Sequence, residues 1–98
     1  MELGIVIPCY NESKRLAHSD FESFLDQRQN ISLCFVNDGS NDKTITILKK
    51  LNQSKPNRID IINLKKNKGK AFAVKAGMNF FLKKKFDKIA FLDADLST

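Results

Sequence analysis

Tryptophan is absent from this chain, tyrosine occurs once, proline and cysteine twice each, and glycine four times in 98 residues. With no Trp, a single Tyr and no RNA- or DNA-binding motif, nucleic acid is not an expected partner. Scarce Pro and Gly exclude collagen-like and low-complexity classes. At 42% hydrophobic and 29% charged residues, the composition is that of a folded globule and not of a disordered segment. No apolar run approaches the roughly 20 residues that span a bilayer. The first residues, Met1 to Pro8, lack the basic start and small-residue cleavage site of a secretory signal, which points to a cytoplasmic domain. Cys9 and Cys34 show no CxxC spacing, so two reduced, packing thiols are expected in place of a disulfide.

Positive charge is plentiful and unevenly placed. The net charge is +6, and 13 of the 17 basic residues fall between Lys49 and Lys88, where the only acids are Asp60 and Asp87. The plain reading is a solvated lysine surface; phosphate-rich ligands and anionic membrane surfaces are the alternatives. The length suits one domain with a modest core.

Hydrophobic patterning divides the chain into alternating elements. Leu3–Pro8, Ile31–Val36, Ile59–Leu64 and Lys88–Leu92 read as buried strands. Ser19 with Glu22 matches a capping box, and Phe21, Phe24 and Leu25 repeat at helical spacing, predicting a helix over about Asp20–Gln29. A second helix is expected from near Asp42 to before Pro56, with Ile45, Leu48 and Leu51 on one face and Asp42 or Ser40 as cap. A third runs from Gly69 to about Lys85, with Ala71, Val74, Met78 and Phe81 as its buried stripe and Leu82 beside it. The order βαβαβαβ predicts an α/β, Rossmann-like parallel sheet with helices on both faces. Ligands of such sheets bind at the carboxyl ends of the strands, near the switch in strand order.

The residues at those ends suit an anionic ligand held with a divalent cation. Tyr10, Asn11 and Glu12 follow the first strand, Asn37 to Ser40 the second, Lys65 to Gly69 the third, and Asp93 and Asp95 the fourth. Strand residues at i and i+2 point the same way, so Asp93 and Asp95 can approach one ion. Mg²⁺ or Mn²⁺ is commonly held by one or two carboxylates plus substrate phosphates. Asp38, after a buried strand and before Gly39, stands where an acid contacts a ribose or base edge, although Asn-Asp-Gly-Ser is also ordinary turn chemistry. The first loop is CYNES, without GxGxxG or a Walker A pattern.

Four blocks, IVIPCYNES (Ile5–Ser13), VNDGSNDKT (Val36–Thr44), NKGKAFAVKAGM (Asn67–Met78) and FLDADLST (Phe91–Thr98), occur in the order and spacing of family 2 glycosyltransferases, which the chain resembles. The resemblance implies a truncated GT-A fold. The forms NxGKA and DADLST lean towards the polyprenyl-phosphate sugar synthases, which are similar to dolichyl-phosphate mannose and glucose synthases.

By that resemblance Pro8, Tyr10, Asn11 and Glu12 would line the nucleotide, and Asp38 would bond the base. Lys68, Gly69 and Lys70 would pass the nucleoside and bring positive charge near phosphate. Asp93 would lie by the ribose and diphosphate, and Asp95 would be the principal metal ligand. The donor would be a UDP- or GDP-sugar with Mg²⁺ or Mn²⁺, and the acceptor a polyprenyl phosphate. Residues 1–98 would form one domain, the donor-binding part. The acceptor half and its general base would be absent, so the isolated chain is not expected to turn over. Its last strand would be an exposed edge, inviting self-association. In the full-length protein the cytoplasmic face of a membrane is the expected place. A non-catalytic nucleotide-binding or regulatory module would use the same residues. A receiver-like signalling domain is disfavoured, because the third strand ends in Leu64-Lys65-Lys66 and not in a phospho-acceptor Asp.

Overall fold

The computed structural model describes residues 2–13, 16 and 18–93. Its elements alternate as β1 (Leu3–Cys9), α1 (His18–Asp26), β2 (Ile31–Asp38), α2 (Thr44–Ser54), β3 (Ile59–Leu64), α3 (Lys70–Lys83) and β4 (Lys88–Phe91). The strands form one parallel sheet in the order β3-β2-β1-β4. The chain steps outward from β1 to β3, then crosses back to β4 on the far side of β1. Right-handed crossovers put the helices of the outward steps on one face and the returning helix on the other.

The packing follows that rule. Phe21 and Leu25 of α1 and Leu48 and Leu51 of α2 bury against Ile5, Ile7, Leu33, Phe35 and Ile59. On the opposite face Ala73 and Phe81 of α3 meet Val6, Cys34 and Val36. Alternation along β2 splits its residues between the two layers, Leu33 and Phe35 one way, Cys34 and Val36 the other. The same alternation separates the cysteines. Cys9 lies under α1 and α2, Cys34 under α3, and both are buried free thiols.

Several expected boundaries move. β2 continues through Asn37 and Asp38, which still pair with Asn63 and Leu64, so Asp38 belongs to the strand and not to the turn after it. α1 begins at His18, placing Ser19 inside the helix and not at its cap, and ends at Asp26 instead of Gln29. Its early end has a visible cause in Arg58. That guanidinium donates to the carbonyls of Leu25 at 2.9 Å, of Ile31 at 2.9 and 3.1 Å, and of Arg28. One side chain thereby joins carbonyls at the end of α1 to the start of β2.

The buried stripe of α3 also differs from the expected one. Ala73, Gly77 and Phe81 face the sheet, whereas Ala71, Met78 and Leu82 are exposed and Val74 is half-buried. Of the expected stripe only Phe81 is fully buried, because β1 leaves little room for larger side chains at the positions above it. A Cβ on Gly77 would stand 2.4 Å from a Val6 methyl, and one on Gly4 would stand 2.6 Å from the Phe81 ring. Ala73 and Gly77 let the helix lie close to the sheet, Phe81 packs over Gly4, and Met78 and Leu82 turn outward. Ala71, Val74, Met78 and Phe91 thus line an open apolar hollow of about 510 Å³ whose rim carries Lys70 and Lys75. β4 pairs with β1 alone, and its other edge meets no strand among the described residues.

This close approach gives a stability prediction. Gly77→Ala improves helix propensity by about 1 kcal/mol but drives a methyl into the fully buried Val6. Overpacking of this kind costs about 1–3 kcal/mol, so the urea midpoint should fall. An unchanged or raised midpoint would mean that α3 has room to lift.

Candidate functional site

Carboxyl ends of parallel strands gather on one edge, and the switch point of this sheet lies between β1 and β4. Register fixes which residues meet there. Cys9 is level with Asn37, and the amide of Leu92 donates to the Val6 carbonyl at 3.0 Å. Asp93 therefore falls beside the end of β1, with Asp38 on the other side at the end of β2. Strand alternation points both acids to the α3 side, where Val36 and Ile89 lie. Two strand spacings of about 4.8 Å separate their strands by roughly 10 Å, the span of a nucleoside. Asn37 sends its side chain to the other face, where it donates to Asn63 Oδ1 at 2.8 Å.

Asp38 is almost fully buried, at 3% exposure, and its charge is met by the β3–α3 loop. The amides of Lys68 and Gly69 donate to its carboxylate at 2.7 and 3.0 Å, and Asn67 Nδ2 donates at 3.1 Å. Asn67 also donates to the Asp38 carbonyl at 3.2 Å. Charge-assisted bonds of this sort are what a buried carboxylate requires. Gly39 makes the approach possible: its φ is 68°, and a Cβ there would stand 2.3 Å from the Asn67 amide nitrogen. Gly69, at φ 95°, then starts α3 with open space around it. The sequence places Asn67 at this strand end and in the NKGKA block but gives it no role beside Lys68, Gly69 and Lys70.

The loops after β1 and β2 are laced together. Asn11, with the left-handed φ of 52° that Asn tolerates, donates its amide to Ser40 Oγ and accepts from the Asn41 amide at 2.8 Å. The amide of the buried Glu12 donates to Thr44 Oγ1 at 2.9 Å. Asp42 accepts from the amide and hydroxyl of Thr44 and from those of Ser13. The cap of α2 is Lys43 and not the expected Asp42 or Ser40, but Asp42, one residue earlier, holds Thr44 and ties the first loop to the second. Pro8 is half-buried and Tyr10 is 46% exposed at the same edge, so the ring is available to a ligand.

Ionisation follows the contacts. Desolvation pushes the Asp42 carboxyl upward, but hydrogen bonds from Thr44 and Ser13 outweigh it and hold the carboxyl down at about 2. Burial, with a lesser push from Glu12, raises the Cys9 thiol far above its ordinary value. Cys34 is pushed up to about 12 by burial and by Asp60, against the pull of Lys84. Neither cysteine has the thiolate character of a nucleophile.

At the other end of the cleft, Lys70 Nζ donates to Asp93 Oδ1 at 2.9 Å. Asp93 presents a half-exposed carboxylate at the strand end, a hard oxygen donor of the kind Mg²⁺ and Mn²⁺ take together with substrate phosphates. Its partner in the Asp-Ala-Asp motif, Asp95, lies outside the described residues, and no group of three metal-ligating side chains occurs among the described ones. Asp93 fits the expected ion as one ligand among several.

A parallel sheet with acids at the ends of β2 and β4, a lysine-rich loop over them and no glycine cradle after β1 defines an α/β domain of the GT-A class. The glycosyl transferase family 2 profile matches residues 4–98, and the chain belongs to that family. It is 36% identical over 100 residues to the uncharacterized glycosyltransferase YkcC of Bacillus subtilis, covering 98% of this chain and 29% of that protein. Human dolichyl-phosphate beta-glucosyltransferase is 35% identical over 106 residues, covering 99% and 32%. Among solved structures, the mannosyltransferase PcManGT of Pyrobaculum calidifontis, in complex with GDP-Man and Mn²⁺, superposes with a TM-score of 0.76 at 18% identity, over 96% of this chain and 27% of that one. TarS of S. aureus with UDP-GlcNAc gives 0.72 at 20%, over 97% and 27%. The chain spans about a third or less of the length of these relatives, and no helix among the described residues is long and apolar enough to cross a membrane.

Asp42 supplies a pH prediction. Its carboxyl titrates at about 2 in the folded chain against an ordinary 3.8. A depressed folded value means that its stabilising bonds count fully above about pH 4 and are lost as pH falls towards 2. The difference in urea midpoint between the wild type and Asp42→Asn should therefore shrink across that window. A difference that stays constant would show that ionisation of Asp42 plays no part.

Proposed function

We propose that this chain is the donor-binding part of a glycosyltransferase that moves a sugar from a UDP- or GDP-sugar to a lipid phosphate of the polyprenyl class. The observation that carries the reading is the placement of Asp38 and Asp93 on one face, flanking β1 at the switch point, beneath a loop rich in lysine. In this reading Asp38 bonds the base, and Pro8, Tyr10, Asn11 and Glu12 line the nucleoside. Lys68, Gly69 and Lys70 border the phosphates, and Asp93 and Asp95 hold Mg²⁺ or Mn²⁺. The cation would supply charge neutralisation for the departing diphosphate.

Support comes from relatives whose names carry dolichyl phosphate and undecaprenyl phosphate, and from fold neighbours bound to GDP-Man with Mn²⁺ and to UDP-GlcNAc. The acceptor site and general base are assigned to the further length that those relatives have. The lysine-rich surface suits a place at the cytoplasmic face of a membrane in the longer protein.

The open edge of β4, which carries the exposed Phe91, further supports pairing with a second copy when these 98 residues stand by themselves. Light scattering against concentration should show a dimer or larger species, while a clean monomer at high concentration would rule the pairing out.

The donor reading is tested by calorimetric titration with UDP, GDP and their sugar conjugates, with and without Mn²⁺, on the chain and on Asp38→Ala and Asp95→Ala. One nucleotide should bind in a metal-dependent way. Asp38→Ala should weaken it about tenfold, as expected when a buried carboxylate bonded to its ligand is removed. Asp95→Ala should abolish the metal dependence. Tight binding that ignores both substitutions would overturn the assignment of the site.

A further inference from the structure

Lys70 sits where folding alone gives it no reason to be. It opens α3, the end of a helix that disfavours cations, and the first turn contains no acid. Its ammonium reaches across to Asp93 Oδ1 at 2.9 Å and lies 5.7 Å from the centre of the Phe91 ring. Both partners are open to water, with side-chain exposures of 60% and 41%. So exposed an ion pair contributes little to stability. Lys65, Lys66 and Lys68 crowd the preceding loop, all exposed, so an extra cation at this point adds to local repulsion.

We propose that Lys70 is an exchangeable counter-ion of the site: it neutralises Asp93 when no nucleotide is bound and transfers to the diphosphate when one arrives. The inference rests on the donor-site reading above and adds an order of events to it. A free divalent cation approaching Asp93 meets an ammonium already in place, surrounded by other lysines, and is held off. A nucleoside diphosphate offers that ammonium a stronger anion, which the flexible four-carbon stem of lysine can follow. Asp93 is then released to the cation that the diphosphate also binds. Metal and nucleotide consequently enter as a unit, and the motif does not load with metal beforehand. Phe91 backs the ammonium from the apolar side, fixing the empty-site position without locking it.

The test is a Mn²⁺ titration followed by electron paramagnetic resonance of the free ion, on the wild type, Lys70→Met, Lys70→Arg and the double variant Lys70→Met with Asp93→Asn. Circular dichroism checks that each is folded. Without nucleotide, Lys70→Met should bind Mn²⁺ at least about fivefold more tightly than the wild type, the effect of one unit charge removed at about 4 Å in water. The double variant should lose that gain, and Lys70→Arg should behave as the wild type. With UDP or GDP present, Lys70→Met should bind nucleotide severalfold more weakly, so that metal and nucleotide help each other less. Equal or weaker Mn²⁺ binding in a folded Lys70→Met chain overturns the proposal, as does a gain that survives Asp93→Asn. If no nucleotide binds to any variant the donor reading fails, whereas the titration with metal alone still decides the role of Lys70.

Discussion

The buried carboxylate of Asp38, bonded to the amides of Lys68 and Gly69, ties the β3–α3 loop to the end of β2. That one attachment determines where α3 starts, and with it where Lys70 stands. Because α3 then lies tightly on Gly4 and Val6, its start cannot drift along the sheet. The position of Lys70 opposite Asp93 follows, and so does the outward turn of Phe72, Met78 and Leu82. An unpaired charge at 3% exposure would be costly to bury, so loop and acid are bound to adopt their arrangement together.

The attachment also bears on how the acid can act. A carboxylate offers about four acceptor positions, and here Asn67 and the two loop amides take three. In the proposed reading, an arriving base would find an oxygen already aimed and would not have to order the loop first. Binding energy is then not spent on reorganising the site. The lacing of Ser13, Asp42 and Thr44 does the same for the first two loops, which together carry Tyr10, Asn11 and Glu12.

Much of this was legible in the residues. Continuous apolar runs gave the four strands, helical spacing gave the three helices, and their alternation gave the parallel sheet. Placing Asp38, Lys68–Lys70 and Asp93 at one edge needed only the rule about strand ends. The failures share a cause: local patterns do not report how closely elements approach. The inner face of α3 was assigned to Ala71, Val74, Met78 and Phe81, of which Phe81 alone is fully buried, because nothing in its periodicity reveals that Gly4 and Val6 demand Ala73 and Gly77 above them. Asp38 was placed just past the end of its strand because the Asn-Asp-Gly-Ser around it is turn-like, whereas pairing with β3 keeps it in the strand. Arg58 carries no local signal at all, since the carbonyls it serves are some thirty positions earlier.

Arg58 is also informative by its location. It gathers the carbonyls of Leu25, Arg28 and Ile31 at the amino ends of β2 and β3, the length of a strand away from Asp38 and Asp93. In the proposed reading, this anchor of the framework stands at the pole of the sheet opposite the ligand site. A sequence drifting under selection could change its donor preference at one pole while the framework is held at the other. Conversely, damage at the Arg58 pole would lower how much folded protein a cell contains without altering which nucleotide that protein prefers.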